Sequence, residues 1–280
     1  MLRSITFAFV LLMLVVGTAA GGGGKGGPAP GVSVGYDGTV DAANGVRYVA
    51  LPTAKTTTVA AVRTNDGRVL SYATIRGAFG IPLVAFDGTT EGVSRDGATL
   101  VLAGLGADRA QTRFAVLHTR ALRLKQSITL PGLWAYDALS PDGRTLYATQ
   151  YLGTGPKARY NVRSVSLVTG KPVGGALVDR REPDEEMNGS PWARVRSADG
   201  AWAYTLYTKP NGTGFVHALD TAERRAFCVD LPWRTTLQRF TAVRLSLANG
   251  GRRLELAKRG GNRLAVVDTT TFKVTAFAKP

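Results

Sequence analysis

One short turn sequence returns along this chain at intervals near fifty residues, and it limits the folds open to the chain more than any other feature. The clearest copies are Ser94-Arg95-Asp96-Gly97, Ser140-Pro141-Asp142-Gly143 and Ser197-Ala198-Asp199-Gly200, with a variant at Ser246-Leu247-Ala248-Asn249-Gly250. The Asp and Asn positions are spaced by 46, 57 and 50 residues, and a weaker copy, Asn44-Gly45, lies 52 residues before Asp96. Asp or Asn bonds its own backbone at a turn and Gly accepts a positive φ, so each copy reverses one strand into the next. Short apolar stretches follow, such as Thr99-Leu100-Val101-Leu102, Thr145-Leu146-Tyr147-Ala148 and Leu254-Glu255-Leu256. A second set of strands ends at equivalent positions: Arg63, His118, Ser166, Asp220 and Asp268.

Four strands per fifty-residue unit, with almost no helical periodicity, predict an all-β chain of radially stacked four-stranded blades, a β-propeller. About five units fit between residues 31 and 280, with a range of five to seven. The ring is expected to close where the last sheet meets the first, leaving only short edges exposed. A β-sandwich would not need one turn chemistry repeated at this interval. The segments Ser140-Pro141-Asp142-Gly143-Arg144-Thr145-Leu146-Tyr147-Ala148-Thr149-Gln150 and Val266-Val267-Asp268-Thr269-Thr270-Thr271 resemble the repeat of the bacterial surface-type (YVTN) propellers related to WD40 proteins. That resemblance implies a blade, not a ligand. It carries over no catalytic residue, and the units here are longer than the forty-odd residues usual in that family.

Residues 1–20 read as a signal peptide. A basic start at Arg3 precedes an uncharged apolar run from Ile5, and small residues Thr18-Ala19-Ala20 stand before a cleavage point. The run is shorter than the roughly 20 residues needed to span hydrocarbon, so no transmembrane segment is expected once the signal is removed. Residues 21–30 are a Gly- and Pro-rich linker, and 31–280 form the propeller domain. The expected location is therefore secreted or cell envelope, and the expected state is a monomer. The lone cysteine, Cys228, lies in an apolar alternation and excludes an intramolecular disulfide.

The chemistry the sequence offers is sparse. Gly31-Val32-Ser33-Val34-Gly35 has the spacing of a nucleophile elbow, but it follows a linker and precedes no helix. His118 and His217 are the only histidines, and neither has an orienting partner nearby in sequence. No catalytic residue is assigned. One segment departs from blade architecture: Arg180-Arg181-Glu182-Pro183-Asp184-Glu185-Glu186-Met187-Asn188-Gly189-Ser190-Pro191-Trp192 joins two units. Its carboxylates are open to three readings: a solvated loop balancing Arg180 and Arg181, a latch to Arg194 or Arg196, or a hard-cation site suited to Ca2+. The candidate ligand-binding set on the channel face is Trp134, Glu182, Asp184, Glu185, Glu186, Asn188, Trp192 and Arg194. Trp134 and Trp192 are expected to start inner strands, where packing is the commoner role of such rings.

The chain carries 35 Lys and Arg against 20 Asp and Glu, a formal charge of +15, with the basic residues scattered near strand ends and turns. A nucleic-acid site would need a clustered footprint, so none is expected. The partners that fit are an unidentified protein or an anionic envelope polymer. The function expected from all of this is an exported binding or interaction module with no cofactor beyond a Ca2+ at the acidic loop. The alternative is a lactonase-like propeller hydrolase with a metal in its channel.

Overall fold

The computed structural model describes residues 37–106, 110–153, 159–183 and 187–280. Five antiparallel four-stranded sheets follow one another along the chain, each in simple meander order. Blade 1 comprises β1 (Thr39–Asp41), β2 (Val46–Pro52), β3 (Thr56–Arg63) and β4 (Val69–Arg76). Blade 2 comprises β5 (Phe79–Gly80), β6 (Thr99–Gly104), β7 (Gln111–His118) and β8 (Arg123–Pro131). Blade 3 comprises β9 (Trp134–Leu139), β10 (Thr145–Leu152), β11 (Arg159–Ser166) and β12 (Pro172–Leu177). Blade 4 comprises β13 (Ser190–Arg196), β14 (Trp202–Thr208), β15 (Thr213–Asp220) and β16 (Arg225–Arg234). One helical turn, α1 (Leu237–Phe240), leads to blade 5: β17 (Val243–Ala248), β18 (Arg253–Lys258), β19 (Arg263–Asp268) and β20 (Val274–Ala276). The third strands end at Arg63, His118, Ser166, Asp220 and Asp268, as the sequence alignment of the units predicts.

Strand composition follows from position in the blade. Inner and middle strands are packed on both faces and read as near-continuous apolar runs. All six residues of β9 are buried, as are seven of the eight in β15. Fourth strands lie on the rim: all residues of β12 but half-buried Leu177 are exposed, and β8 alternates.

The recurring turn shows why it needs its residue types. In Ser140-Pro141-Asp142-Gly143 the Ser140 hydroxyl donates to Asp142 Oδ1 at 2.6 Å and accepts from Thr145 N, while Arg144 N donates to Asp142 Oδ1. Ser94 with Asp96 and Ser197 with Asp199 repeat the same three bonds. The turn that opens the fourth strand is tied to this one. Thr64, Thr119 and Thr221 hydroxyls donate to the carbonyls of Gly45, Gly97 and Gly200, and Thr269 donates to that of Gly251. The last residue of that second turn is left-handed in every blade, with Gly67 and Gly170 in two and Leu122, Arg224 and Phe272 at φ 47°, 55° and 57° in the others. Three blades thus accept a left-handed side chain, at about 1–2 kcal/mol each, to keep the turn.

Gly143 has φ 62°, and a Cβ there would stand 2.8 Å from Ser94 Cβ of the preceding blade. Gly45 has φ 61° but its added Cβ would meet nothing closer than Thr64 Oγ1 at 3.6 Å. Gly143→Ala is therefore expected to cost about 2–4 kcal/mol, combining left-handed strain with overpacking, and Gly45→Ala only about 1–2. Denaturant unfolding of the two variants checks this; equal losses would contradict it.

Four apolar clusters fill the junctions between blades 1 and 2, 2 and 3, 3 and 4, and 4 and 5. Among the described residues no fifth cluster joins blade 5 to blade 1, the contact expected to close the ring. On blade 1, Val46, Tyr48 and Ala50 turn toward blade 2. The opposite face is formed by the rows Val40–Arg47–Val62–Val69, Val49–Ala60–Tyr72 and Leu51–Thr58–Thr74. There Val40, Leu51, Val69 and Tyr72 remain 48%, 61%, 54% and 74% exposed. The corresponding face of blade 5 is polar, with Ser246 opposite Glu255 and Glu255 paired to Arg263 at 3.0 Å.

Candidate functional site at the axis

The inner strands bring charged side chains to the axis, where an apolar filling would be the simpler solution. Arg194 and Arg196 are two apart on β13 and so project from one face. Every nitrogen of the Arg194 guanidinium is engaged. Its Nε donates to Glu91 Oε1 at 2.9 Å, and one terminal nitrogen donates to Asp137 Oδ1 at 2.8 Å and Thr205 Oγ1 at 2.6 Å. The other donates to the Asp137 carbonyl at 2.7 Å. Arg196 reaches the Leu139 and Gly200 carbonyls at 2.8 and 2.7 Å and lies 3.5 Å from Glu91 Oε2. Burial opposes the charge on Arg194, but Glu91 and Asp137 more than offset it and raise its pKa. The network joins blades 2, 3 and 4 through one side chain.

The segment 81–89, between β5 and the continuation of that strand, reaches blade 4 as well. Phe86 N donates to the Pro191 carbonyl, Arg194 N donates to Asp87 Oδ2, and the Phe86 ring meets Trp192 at 5.0 Å. Leu83 bridges Thr90 across the neck of the segment, and Val93 bridges Leu100 where the chain rejoins β6. Blades 2 and 4 therefore touch directly beside the axis.

Several buried polar atoms of the inner and middle strands lack partners. Both His217 ring nitrogens, Asp137 Oδ2, the Tyr136 and Tyr160 hydroxyls and Arg196 Nε are buried and meet no hydrogen-bonding partner among the described residues. His217 sits on β15 across from Thr205 and Cys228, with Tyr207 edge-on at 6.2 Å. Burial lowers its pKa to about 4, so the ring is neutral near pH 7; Asp137 and Asp179 pull upward and Arg194 downward.

The residues expected at the site are placed as follows. Trp134 opens β9, as expected, and is buried with its indole donating to the Pro131 carbonyl. Trp192 falls inside β13 rather than at its start; it is half-buried and donates to Thr208 Oγ1. Arg194 is buried in the network. Arg194 and Arg196 pair with Glu91, and Arg194 also with Asp137, carboxylates supplied by blades 2 and 3. Arg181 ties its segment to blade 4, holding Asp179 at 2.6 Å and the Cys228 carbonyl at 3.1 Å while lying over Phe227 and Phe272. Arg181 keeps the buried Asp179 carboxyl low despite desolvation. Glu182 N donates to the Asp179 carbonyl, and Asn188 lies just before β13. Asp184, Glu185 and Glu186 lie outside the described residues, as do the elbow-like segment at 31–35, the signal and the linker. His118 is exposed at the end of β7 and Cys228 is half-buried in β16.

Sequence reasoning passed over Glu91, Asp87 and Asp137. Asp137 did carry a signal: it is a single carboxylate inside the otherwise uncharged strand Trp134-Ala135-Tyr136-Asp137-Ala138-Leu139, a place where a charge needs a buried partner.

The sheets and their axial packing define a β-propeller. No protein-family model matches the chain, and no curated protein matches it in sequence. Among solved structures, the β-propeller domain of Cps50 (Swd1) from Myceliophteria thermophila is 13% identical, with 89% of this chain and 70% of that one covered and a TM-score of 0.50. Hydrazine synthase from Kuenenia stuttgartiensis is 16% identical over 88% of this chain and 80% of that one, with a TM-score of 0.45. TolB from Acinetobacter baumannii is 15% identical over 82% and 56%, with a TM-score of 0.38. The likeness to the Cps50 domain is one of fold.

Proposed function

We propose that this chain is an exported β-propeller that works as a binding module of the cell envelope or extracellular space, akin to the surface-type propellers its repeats resemble. The observation that carries this reading is the state of the axis. Arg194 already pairs with Glu91 and Asp137, the carboxylates that an axial metal would use, and the 81–89 segment adds Phe86 and Asp87 beside it. A channel-bound metal would have to displace a buried guanidinium. Among the described residues no three His, Cys, Asp or Glu side chains group as metal ligands; the alternative is a lactonase-like hydrolase whose channel metal would compete with Arg194 for Glu91 and Asp137. Binding then belongs to the rims and outer faces, where the basic side chains stand and where an anionic envelope polymer or a protein would meet them.

Cell fractionation with intact-mass measurement tests the export half. The protein is expected in the envelope or medium with its N-terminus at Gly21. Finding the chain from Met1 in the cytoplasm would overturn it. Retention on purified envelope material, lost as salt is raised, tests the binding half, because attraction to a polyanion is screened over about 10 Å at 0.1 M salt.

A further inference from the structure

We infer that a cleft between blades 4 and 5, away from the axial network, binds a saccharide unit bearing an acid group. The inference rests on the binding-module reading and names its site and ligand. The cleft has a volume of about 420 Å³ and is bounded by Trp202, Phe227, Phe272, Asp199, Arg225 and Arg252, with the Gly250-Gly251 backbone at its edge. That size suits a small ring ligand.

Three features point to this chemistry. First, the wall is aromatic yet not closed over. Trp202 stacks on Tyr204 at 5.9 Å and 10° and on Phe227 at 6.1 Å and 29°, and Phe227 stacks on Phe272 at 4.6 Å. Trp202, Phe227 and Phe272 all stay only half-buried. Phe272 is tilted 57° to Trp202, so the three rings make an angled apolar wall rather than one plane; such a wall in contact with water suits the C–H side of a sugar ring, which is apolar across the ring and polar at its edge. Second, the aromatic stack is held from outside. Arg181 lies over Phe227 and Phe272, and the Phe272 backbone is fixed in its left-handed turn by Thr270 N, Thr271 N and Thr271 Oγ1 donating to Asp268. Such a surface needs little ordering on binding. Third, the cations differ in commitment. Arg225 is spent on Asp220 at 2.7 Å, whereas the exposed Arg252 guanidinium makes no hydrogen bond or ion pair among the described residues. Arg252 is placed to take a carboxylate bidentately. Asp199, held ionised by Ser197 Oγ and Ala201 N, presents its remaining acceptor capacity to sugar hydroxyls.

The test titrates the purified chain with a uronate tetrasaccharide and, in parallel, a neutral hexose tetrasaccharide, reading tryptophan fluorescence and calorimetry. Saturable binding of the acidic probe, at least about tenfold tighter than the neutral one, is expected, since one charge-assisted pair corresponds to roughly that ratio. Arg252→Gln should abolish the preference while leaving the melting temperature unchanged, because Arg252 is exposed. Trp202→Ala should lose both probes by about tenfold or more. If Trp202→Ala fails to fold, Trp202→Phe decides, since it should keep binding while losing the fluorescence change. Equal affinity for the two probes, or unaltered preference in Arg252→Gln, would overturn the assignment. Envelope retention that persists in Arg252→Gln would keep the binding-module reading while removing this site from it.

Discussion

Arg194→Met is expected to lower the unfolding free energy by about 3–5 kcal/mol, the usual result of removing one partner from a buried ion pair. In a chain of this length that corresponds to a fall in Tm of roughly 6–10 °C. The loss arises from what remains. Glu91 and Asp137 would stay buried with their shared cation gone, and Arg196, 3.5 Å from Glu91, reaches only one of them. The counterpart is the triple variant Arg194→Met with Glu91→Gln and Asp137→Asn. Neutralising all three should recover a large part of the stability, because a well-packed apolar or neutral replacement of a buried network is often close to neutral. Thermal unfolding of wild type, single and triple variants separates the two effects. A triple variant no more stable than Arg194→Met would mean that Arg194 stabilises by packing alone.

Acidification should weaken the fold in two separate windows, and the upper one belongs to His217. In the unfolded chain the imidazole takes a proton below about pH 6.5; in the folded chain it resists until about pH 4. Between those values the unfolded state binds more protons, so stability rises with pH, and on going down it is lost progressively from pH 6.5 to 4. The full span is worth about 3 kcal/mol. The groups facing the ring are Asp137, Asp179, Arg194 and Tyr207, and no protein atom among the described residues is positioned to stabilise a charged imidazole by hydrogen bonding. The carboxylates act lower. Asp142, Asp179, Asp199 and Asp268 have depressed pKa values, so their contribution is intact above the ordinary carboxyl range and is lost only below it. Urea unfolding followed from pH 7 to 4 should therefore show a slope that disappears in His217→Leu. The same slope in the variant would exclude His217 as its source.

Much of the fold was readable because its signals are local. A turn built from Ser, Asp and Gly within four residues writes itself into the sequence wherever it occurs, and its three clear copies with the two Asn-Gly variants mark five units, whose aligned third strands give the strand ends. The site was legible only in part. Arg194 and the two tryptophans were identifiable as residues of the inner strands, but their partners were not. The carboxylates of Arg194 lie 57 and 103 residues away in the chain, on other blades. No spacing rule links an Asp in β9 and a Glu beside a looped-out segment to an Arg in β13.

What the sequence determined by itself is therefore the repeating unit: its turn chemistry, its four strands and its length of about fifty residues. What only the tertiary structure decided is how the units meet. It filled the axis with Arg194 and its carboxylates, sent the 81–89 segment from blade 2 to blade 4, and left one face of blade 1 with Leu51 and Tyr72 exposed. The physical reason is range. Hydrogen bonds within a turn are fixed by residues a few positions apart, whereas the pairing of buried charges depends on which blades face one another around the axis.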